Sequence, residues 1–533
     1  MWNSMGQIPT DINYGTCPGQ KNAISYPASI LETITVGLDA NIEEALGVRA
    51  TMEASPQQRD TFDILLGNTA YMLALDFGKP NRFALCAELR GRAGTLAVAN
   101  MLPLIIMAGR NNPLIRLLGV SFDTYNLLHR WIGRIVLFDV VIHAVAWAIP
   151  SIADSGWSQL GRNALDGLFV TSGSIGVIAM FLISAVGLSP VRHAFYETFL
   201  AVHIILALTA IICVWIHCAT SQLPGALPQL PWIQAVVALW VSERLARILR
   251  LVYINWSGAG FTNATCEAMP GEVTRVTVRL PRSVRVNPGS HAYLRFRDVR
   301  VWESHPFSIA WVEDRVKCSQ ISHDDYLPSD EGHDVTTDLT FIIAARSGMT
   351  CQLYEKVRRA RVLERVLVAV EGPYNGHQCL DSYGHVVLFA GATGITHQIS
   401  YAHHILTSYE ASVTSTRRLL LLWVIREHEC IGWVWPSLMK TLRSQFCHDI
   451  LRIKVFVTGG VKQNMLLGTN PIVSFHSGRP EVLPVLKKEV ERQTGAMCVT
   501  VCGPGALADD VRHAVRVMQG PNVIDFVEES FTW

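Results

Sequence analysis

Long apolar stretches run from about residue 93 to residue 242, and shorter alternating stretches follow them. Residues 93–109 and 167–188 contain no charged side chain, and residues 127–150 are strongly apolar. Residues 198–242 also lack Asp, Glu, Lys and Arg, and a Pro- and Gly-containing segment near residue 224 divides them into two parts. Because about 20 apolar helical residues cross a bilayer, this pattern predicts five membrane spans.

The pattern changes after residue 251. Residues 272–280, 291–296 and 338–344 alternate between polar and apolar side chains with Pro/Gly turns between them, which is typical of half-buried antiparallel strands. From residue 385 onward, continuous apolar strands alternate with helical stretches and glycine turns. This predicts a small antiparallel β-barrel over residues 258–375, followed by an α/β domain over 383–533 with a nucleotide site at its strand ends.

Residues 1–90 are the least readable segment. They contain no basic stretch followed by an apolar one, so no signal peptide is expected. Residues 61–77 are moderately apolar but include Asp63 and Asp76, which makes them a doubtful sixth span. A degenerate first helix, an extracytoplasmic segment and an incorrect gene start are all open interpretations. The segment is left unassigned, and the membrane domain is placed at residues 91–251.

Two histidine pairs stand in the apolar region. His143 follows His129 by fourteen residues, and His217 follows His203 by the same number. In a helix, fourteen residues return to within about 40° of the starting direction and rise about 21 Å. Two neighbouring helices of this kind could hold two stacked bis-imidazole sites, which suits two b-type haems. The alternative is ordinary interhelical histidines, but the repeated spacing favours metal ligation.

Composition supports a membrane part joined to a soluble part. Half of the 533 residues are hydrophobic, 17% are charged, and the mean hydropathy is +0.25. The net charge of +1 and the lack of a long basic run give no indication of nucleic-acid binding. The basic segment 242–250 is expected in the cytosol and the uncharged segment 219–231 outside. His129 and His203 then lie on the cytosolic side. Arg134 and Asp139 are expected either to pair with each other or to contact haem propionates.

Two motifs of the β-rich region suit the binding of a flat ring and of a pyrophosphate. The first places an imidazole, an aromatic ring and a hydroxyl together, and an ordinary Pro-bounded strand is its alternative: His305, Pro306, Phe307 and Ser308. The second sets a cation and a glycine before a helix, as a pyrophosphate site requires: Arg346, Ser347, Gly348, Met349 and Thr350. Its alternative is a plain helix start capped by Ser347.

Four features of the last 150 residues are candidates for contact with a nucleotide cofactor. A glycine turn opens a helix directly after a buried strand: Gly391, Ala392, Thr393, Gly394, Ile395 and Thr396. Cys502 and Gly503 follow another buried strand, where backbone can approach a nicotinamide, although Cys502 could be only a small buried hydrophobe. Trp533 could cover a flavin ring or serve only as a docking residue. Arg426 could meet a 2′-phosphate or remain solvated.

Taken in order, these motifs resemble those of the fungal ferric-chelate reductases, which share a superfamily with the NADPH oxidases. The resemblance covers about residues 90–533 and rests, besides the motifs above, on residues 92–94 with 109–112, residues 370–374 and the closing residues 528–533. It implies a multidomain fold: an α-helical transmembrane bundle, an antiparallel β-barrel FAD domain and a ferredoxin reductase-like α/β NADP-binding domain. FAD, NADPH and two b-type haems are implied, held by the residues named above. His397 departs from the proline that many related soluble reductases carry after the glycine turn.

The sequence therefore predicts a multi-pass integral membrane oxidoreductase, with the plasma membrane as its expected location. Electrons from cytosolic NADPH would pass through FAD and two haems to an acceptor across the membrane, and no catalytic residue beyond the cofactor sites is expected. By resemblance, the acceptor is a ferric chelate. Oxygen, cupric ion or a metabolite is the alternative acceptor, and a non-enzymatic cytochrome or transporter is the alternative class. A permease or oxidase partner is left open.

Overall fold

A computed structural model describes the chain over residues 56–78, 81–120, 122–221, 227–258, 260–316, 335–376, 379–442, 447–460, 472–520 and 523–529. The chain divides into two compact units between Ile248 and Leu249. The first unit is helical. Over the described residues, the second contains a two-stranded hairpin, two larger β-sheets and the helices that pack on them. Residues 1–55 of the unassigned N-terminal segment lie outside the described residues.

Within the described residues, the first unit contains nine helices, the last of which continues into the second unit. In chain order they are α1 (Pro56–Leu73), α2 (Arg82–Ala108), α3 (Pro113–Leu118), α4 (Phe122–Ser155), α5 (Trp157–Asn163), α6 (Gly167–Val186), α7 (Ser189–Ala194), α8 (Tyr196–Ala219) and α9 (Leu230–Asn255). Within the described ranges, four helices are long and apolar enough to cross a membrane, namely α2, α4 from Thr124, α6 and α8. This agrees with four of the five predicted spans. The fifth forms α9, whose apolar run is interrupted by Glu243, Arg244 and Arg247.

The membrane helices pack in two main pairs, α2 with α4 and α6 with α8. Their shared core includes Val136 on α4, Ile211 on α8 and Val236 on α9, all nearly inaccessible. Large apolar side chains such as Phe181 and Ile205 are exposed on the outside of the bundle. An outward apolar surface around a packed core is expected for helices that contact lipid.

The second unit begins with a short hairpin, β1 (Trp256–Ser257) and β2 (Gly260–Phe261), and a seven-stranded antiparallel sheet. The strands of this sheet are β3 (Asn263–Met269), β4 (Val273–Leu280), β5 (Ser290–Phe296), β6 (His305–Ser308), β7 (Trp311–Val316), β8 (Val335–Ala344) and β9 (Val362–Asn375). They are hydrogen-bonded in the order β6-β5-β9-β3-β4-β8-β7. Val276, Val278 and Leu280 alternate inward along β4 and pack with Phe341 of β8. Helix α10 (Met349–Ala360) follows β8 and presents Leu353 and Val357 to the same core.

The remaining chain forms a six-stranded parallel sheet flanked by helices. Its strands are β10 (His385–Gly391), β11 (Arg418–Ile425), β12 (Leu451–Val457), β13 (Val473–Ser477), β14 (Met497–Cys502) and β15 (Ile524–Glu529). The helices are α11 (Ile395–Glu410), α12 (Trp435–Leu442), α13 (Cys447–Ile450), α14 (Val482–Val490) and α15 (Gly505–Met518), with single 3₁₀ turns at Ala392–Gly394 and His428–Trp433. Every residue of β10 is buried, as expected for a central parallel strand covered on both faces.

The strand order of the parallel sheet is β13-β12-β11-β10-β14-β15. Successive strands from β10 to β13 are added on one side of β10, and β14 and β15 are added on the other side. The order of the strands therefore reverses between β10 and β14, two parallel strands in which Ala390 pairs with Cys502. In open parallel sheets, ligands bind beyond the carboxyl ends of the strands at such a reversal. The predicted fold class, a helical membrane bundle followed by an antiparallel β-domain and an α/β domain, is confirmed.

Candidate cofactor sites

The two predicted histidine pairs meet between α4 and α8. The ring centres of His129 and His203 lie 6.2 Å apart, and those of His143 and His217 are also 6.2 Å apart. Fourteen residues bring each helix back to nearly the same face, so the two pairs form one above the other along the helices. At this separation the rings of a pair do not touch. A separation of 6.2 Å between ring centres leaves room for an ion between the two rings.

Three of the four imidazoles have their Nδ1 atom on a backbone carbonyl oxygen. His129 Nδ1 is 3.0 Å from the oxygen of Leu104, His143 Nδ1 is 2.9 Å from that of Arg90, and His217 Nδ1 is 2.7 Å from that of Phe169. Because a carbonyl oxygen only accepts, each Nδ1 carries the proton and the Nε2 lone pair stays available for a metal. His203 Nδ1 is buried and has no hydrogen-bond partner within the described residues.

Two glycines give two of these imidazoles their space. A Cβ atom on Gly94 would lie 2.7 Å from His143 Nδ1, and one on Gly173 would lie 2.9 Å from His217 Nδ1. Each glycine stands one helical turn after the carbonyl that its histidine contacts. The His143 and His217 rings therefore reach the backbone of α2 and α6 only because the side chain is absent there.

The donor set fits a tetrapyrrole. Searched over the described residues, no group of three or more His, Cys, Asp or Glu side chains could hold a metal ion. A pair of neutral imidazoles supplies only two ligands. A tetrapyrrole would supply the further ligands of an iron held by two histidines. His129, His203, His143 and His217 thus fit two haems.

The predicted pairing of Arg134 with Asp139 is wrong. Five residues in a helix place two side chains about 140° apart, so the two cannot face each other. Asp139 is fully buried and accepts hydrogen bonds from Asn100 Nδ2 at 3.0 Å and from Asn68 Nδ2 at 3.4 Å. Arg134 instead stacks over Trp131. The carboxylate ties α1 and α2 to α4.

The two segments predicted to hold the flavin come together beside Glu303. Strand β6 carries His305, Pro306, Phe307 and Ser308, and it pairs with β5 so that Phe307 lies opposite Ala292. The Glu303 carboxylate, 6% exposed, accepts a hydrogen bond from the Met349 backbone N–H at 2.8 Å. His305 Nε2 lies 3.6 Å from the same carboxylate oxygen. Residues more than 40 positions apart thus share one site.

The predicted pyrophosphate segment forms a tight turn before α10. Thr350 Oγ1 accepts from the Arg346 N–H at 3.0 Å and donates to the Ser347 carbonyl at 3.2 Å. Gly348, at φ +63°, is the N-cap residue, so the alternative of a helix capped by Ser347 is wrong. The first turn of α10 presents backbone N–H groups, which together with the helix dipole suit a phosphate.

The predicted dinucleotide turns pack against each other at the β10–β14 reversal. A Cβ on Gly394 would lie 2.1 Å from the Cys502 carbonyl oxygen, and one on Gly503 would lie 2.8 Å from the Gly391 nitrogen. Ala392 adopts φ +48°, and its carbonyl accepts from Trp423 Nε1 at 3.0 Å. Glycine is needed here because two backbone segments touch. Thr393 completes the turn, and Ile395 and Thr396 begin α11.

Burial keeps the Cys502 thiol and the His397 imidazole, both near this turn, uncharged at neutral pH. Burial, with a smaller contribution from Glu529, raises the pKa of the Cys502 thiol to about 12. Burial also lowers the pKa of His397 to about 4. Cys502 is therefore a small protonated group at the strand end rather than a thiolate nucleophile. The Arg426 side chain is exposed beyond β11, and Trp533 lies outside the described residues.

Sequence reasoning missed Glu303 as a site residue, although it directly precedes the His305 motif. A carboxylate two residues before such a motif is the available signal. Its partner, however, is a backbone N–H that has no sequence signature. Gly173 was missed for a related reason, since its neighbour His217 lies on another helix.

Three family models match the chain in succession. "Ferric reductase like transmembrane component" matches residues 93–214, "FAD-binding domain" matches 259–323, and "Ferric reductase NAD binding domain" matches 383–516. This order defines an integral membrane protein with flavin- and pyridine-nucleotide-binding domains. Over these three segments the chain is similar to ferric reductases.

Curated relatives agree with this assignment. Ferric reductase transmembrane component 3 of Saccharomyces cerevisiae is 28% identical over 83% of this chain and 61% of its own length. Ferric/cupric reductase transmembrane component 2 of the same yeast is 26% identical over 85% of this chain and 63% of its own length. The Aspergillus oryzae protein described as probable cell surface ferric reductase kap2 is 26% identical over 68% of this chain and 46% of its own length. The chain thus spans about three fifths of the length of the two yeast relatives.

Proposed function

We propose that this protein is an NADPH-dependent ferric-chelate reductase that carries electrons across a membrane by means of FAD and two b-type haems. The observation that carries the proposal is the repeated 6.2 Å separation of two histidine pairs on the same two helices. The matching family models support electron flow from a pyridine nucleotide through a flavin to a metal. The names of the yeast relatives support ferric chelates as the acceptor. The cell-surface description of the Aspergillus relative supports the plasma membrane.

The side chains of this protein bind and orient, and the redox chemistry belongs to the cofactors. When bound, these cofactors would supply hydride donation, release of its two electrons one at a time, and one-electron transport. His129 and His203 would hold one haem, and His143 and His217 the other. The β6 segment and the turn before α10 would hold FAD. The β10 and β14 turns would hold NADPH, with Cys502 supplying a small neutral surface.

The proposed domain boundaries follow from the same assignment. Residues 91–251 would be the haem domain, 258–375 the FAD domain and 383–533 the NADPH domain, with 1–90 unassigned. The orientation inferred from the basic segment 242–250 places His129 and His203 towards the cytosolic cofactors. Reduction of the acceptor beyond His143 and His217 would need no iron site, because an exposed haem edge can donate directly.

An absorbance spectrum of the purified full-length chain, recorded before and after NADPH, tests the proposal. A reduced b-type haem band is expected, and it should weaken in His129→Ala and His203→Ala. His513→Ala, which changes an exposed histidine of α15, is the matched control and should leave the band intact. A native protein without a haem band would overturn the assignment. Haem that NADPH fails to reduce would favour a non-enzymatic cytochrome.

Cupric ion is a second candidate acceptor, because one yeast relative is described as a ferric/cupric reductase. Membranes given NADPH can be assayed in parallel with an Fe(II)-trapping chelator, a Cu(I)-trapping chelator and a superoxide probe. Formation of Fe(II) faster than the other two products is expected. Superoxide as the main product would instead make oxygen the acceptor.

A further inference from the structure

A buried carboxylate occupies the N-terminus of α10. Glu303 Oε2 accepts from the backbone N–H of Met349, the first residue of this helix, at 2.8 Å. Glu303 Oε1 forms an ion pair with Arg300 Nη1 at 2.5 Å. The carboxylate side chain is only 8% exposed. It is an internal anion at the position where helix N–H groups and the helix dipole attract negative charge.

The approach to this helix end is shaped around the carboxylate. Gly348 adopts φ +63°, and a Cβ atom there would lie 2.9 Å from Glu303 Oε2. The missing side chain therefore leaves a gap that the carboxylate fills. A phosphate oxygen that accepts from the Met349 N–H would have to take the place of this carboxylate oxygen. Two anions cannot accept the same hydrogen bond, and their repulsion is strong in a buried site.

We propose that the Glu303 carboxylate occupies the place of a phosphate in the flavin-free protein. The diphosphate of the flavin nucleotide must then displace this carboxylate from the Met349 N–H when it binds. The inference rests on the proposed function, which places FAD at this turn. Glu303 would then limit how much the phosphates contribute to flavin affinity. It would also cap α10 in the flavin-free protein, so that the site keeps its shape before the flavin arrives.

Removal of the Glu303 charge should raise the affinity for FAD, whereas loss of a purely structural residue would not. Replacing Glu303 with Gln removes the negative charge and keeps the size of the side chain. FAD should then bind more tightly, by about tenfold, because a hydrogen bond to a charged acceptor no longer has to be given up. Riboflavin has no phosphate, so its affinity should stay unchanged. A residue that only shaped the pocket would alter both affinities in the same direction.

The experiment measures flavin binding to the full-length protein in detergent after removal of bound flavin. Quenching of flavin fluorescence gives Kd for FAD and for riboflavin in the wild type, Glu303→Gln and Glu355→Gln. Glu355 lies on the same helix and pairs with Arg358, so its variant matches the change in net charge away from the helix end. The expected result is a rise in the FAD-to-riboflavin affinity ratio in Glu303→Gln alone.

An unchanged or reduced ratio in Glu303→Gln, with FAD binding to the wild type, would overturn the inference and leave the proposed function standing. Failure of the wild type to bind FAD at all would overturn the proposed function. Should Glu303→Gln not fold, Glu303→Asp provides the test. Its shorter carboxylate retreats from the Met349 N–H, and a higher ratio than in the wild type is again expected. An Asp variant with the wild-type ratio would contradict the proposal.

Discussion

His143 and Gly94 are in such close contact that the glycine could carry no side chain. A Cβ atom on Gly94 would lie 2.7 Å from His143 Nδ1, while that nitrogen lies 2.9 Å from the Arg90 carbonyl oxygen. The ring cannot retreat without losing this bond or its alignment with His217. Gly173 stands in the same relation to His217. The pair His143/His217 is thus positioned by two small residues on neighbouring helices.

Gly94→Ala and Gly173→Ala are each expected to remove the haem held by His143 and His217 while the other haem is retained. The added methyl group displaces the imidazole that it meets, and overpacking of this kind is not absorbed in a close-packed interior. Haem content measured as the pyridine haemochrome, together with the low-temperature spectrum, reports the loss.

Each of these variants has a control on its own helix. Gly91→Ala on α2 adds a methyl group that meets no atom within 4 Å, and Gly176→Ala on α6 makes only an ordinary contact with Cys213 at 3.6 Å. Both controls should keep full haem content. Equal haem loss in Gly91→Ala and Gly94→Ala would show that helix sensitivity, rather than the imidazole contact, is responsible.

The two haem sites should differ in midpoint potential. Both histidines of the His143/His217 pair have a carbonyl acceptor on Nδ1, whereas His203 has no hydrogen-bond partner there within the described residues. A hydrogen bond from Nδ1 makes an imidazole a more basic ligand and stabilises ferric iron. The haem of His129 and His203 is therefore expected to have the higher potential.

A spectroscopic redox titration of the purified protein measures both potentials. His143→Ala and His203→Ala assign them, since each variant should remove one component of the titration. The prediction is contradicted when the higher-potential component disappears in His143→Ala and persists in His203→Ala.

The sequence was sufficient where the relevant pattern is local. The fourteen-residue spacing predicts the two histidine pairs because helix geometry alone returns each pair to one face. Strands such as β10 and β14 were readable because their apolar runs end at glycine turns. Arg134 and Asp139 failed as a pair, since nearness in sequence does not place two side chains on the same face of a helix.

Contacts that depend on tertiary structure could not be read in advance. The carbonyl partner of His143 belongs to Arg90 on another helix, and the partner of Glu303 is a backbone N–H 46 residues away. Any residue type offers these backbone groups, so composition and spacing give no indication of them. The fifth predicted span was wrong because the uncharged run of α9 from Leu230 to Ser242 is shorter than a bilayer crossing requires.

Removal of the Asp139 carboxyl group should lower the stability of the helical unit. Asp139 is fully buried and accepts from Asn68 and Asn100, which belong to two other helices. Asp139→Ala leaves both amides without their acceptor, at an expected cost of about 1–3 kcal/mol. Thermal unfolding in detergent should shift to lower temperature. Asp154→Asn, at the exposed end of the same helix, is the control and should leave the transition in place.

Stability of the α/β domain should depend on pH through Glu489. Burial alone would raise the pKa of this carboxyl, but the nearby His385 imidazole and the hydrogen bond from Arg418 outweigh burial and lower the pKa from 4.5 to about 2. Arg418 Nη2 lies 3.2 Å from Glu489 Oε2, His385 Nε2 lies 3.4 Å from it, and Lys454 Nζ lies 4.0 Å from Oε1. The ionised carboxylate therefore links the first residues of β10 and β11 to α14.

Because the folded-state pKa lies below the unfolded one, this contribution is fully present above pH 4.5 and is lost as the pH falls towards 2. With a discount for solvent screening at the partly exposed Arg418 and Lys454, the shift corresponds to roughly 2 kcal/mol. Glu489→Gln should lower the free energy of unfolding at pH 7 by an amount of this order and flatten its decline between pH 4.5 and pH 2. Urea unfolding at several pH values measures both effects. Glu491→Gln, an exposed neighbour, should keep the wild-type profile, and an equally steep acid decline in Glu489→Gln would assign the pH dependence to other carboxyls.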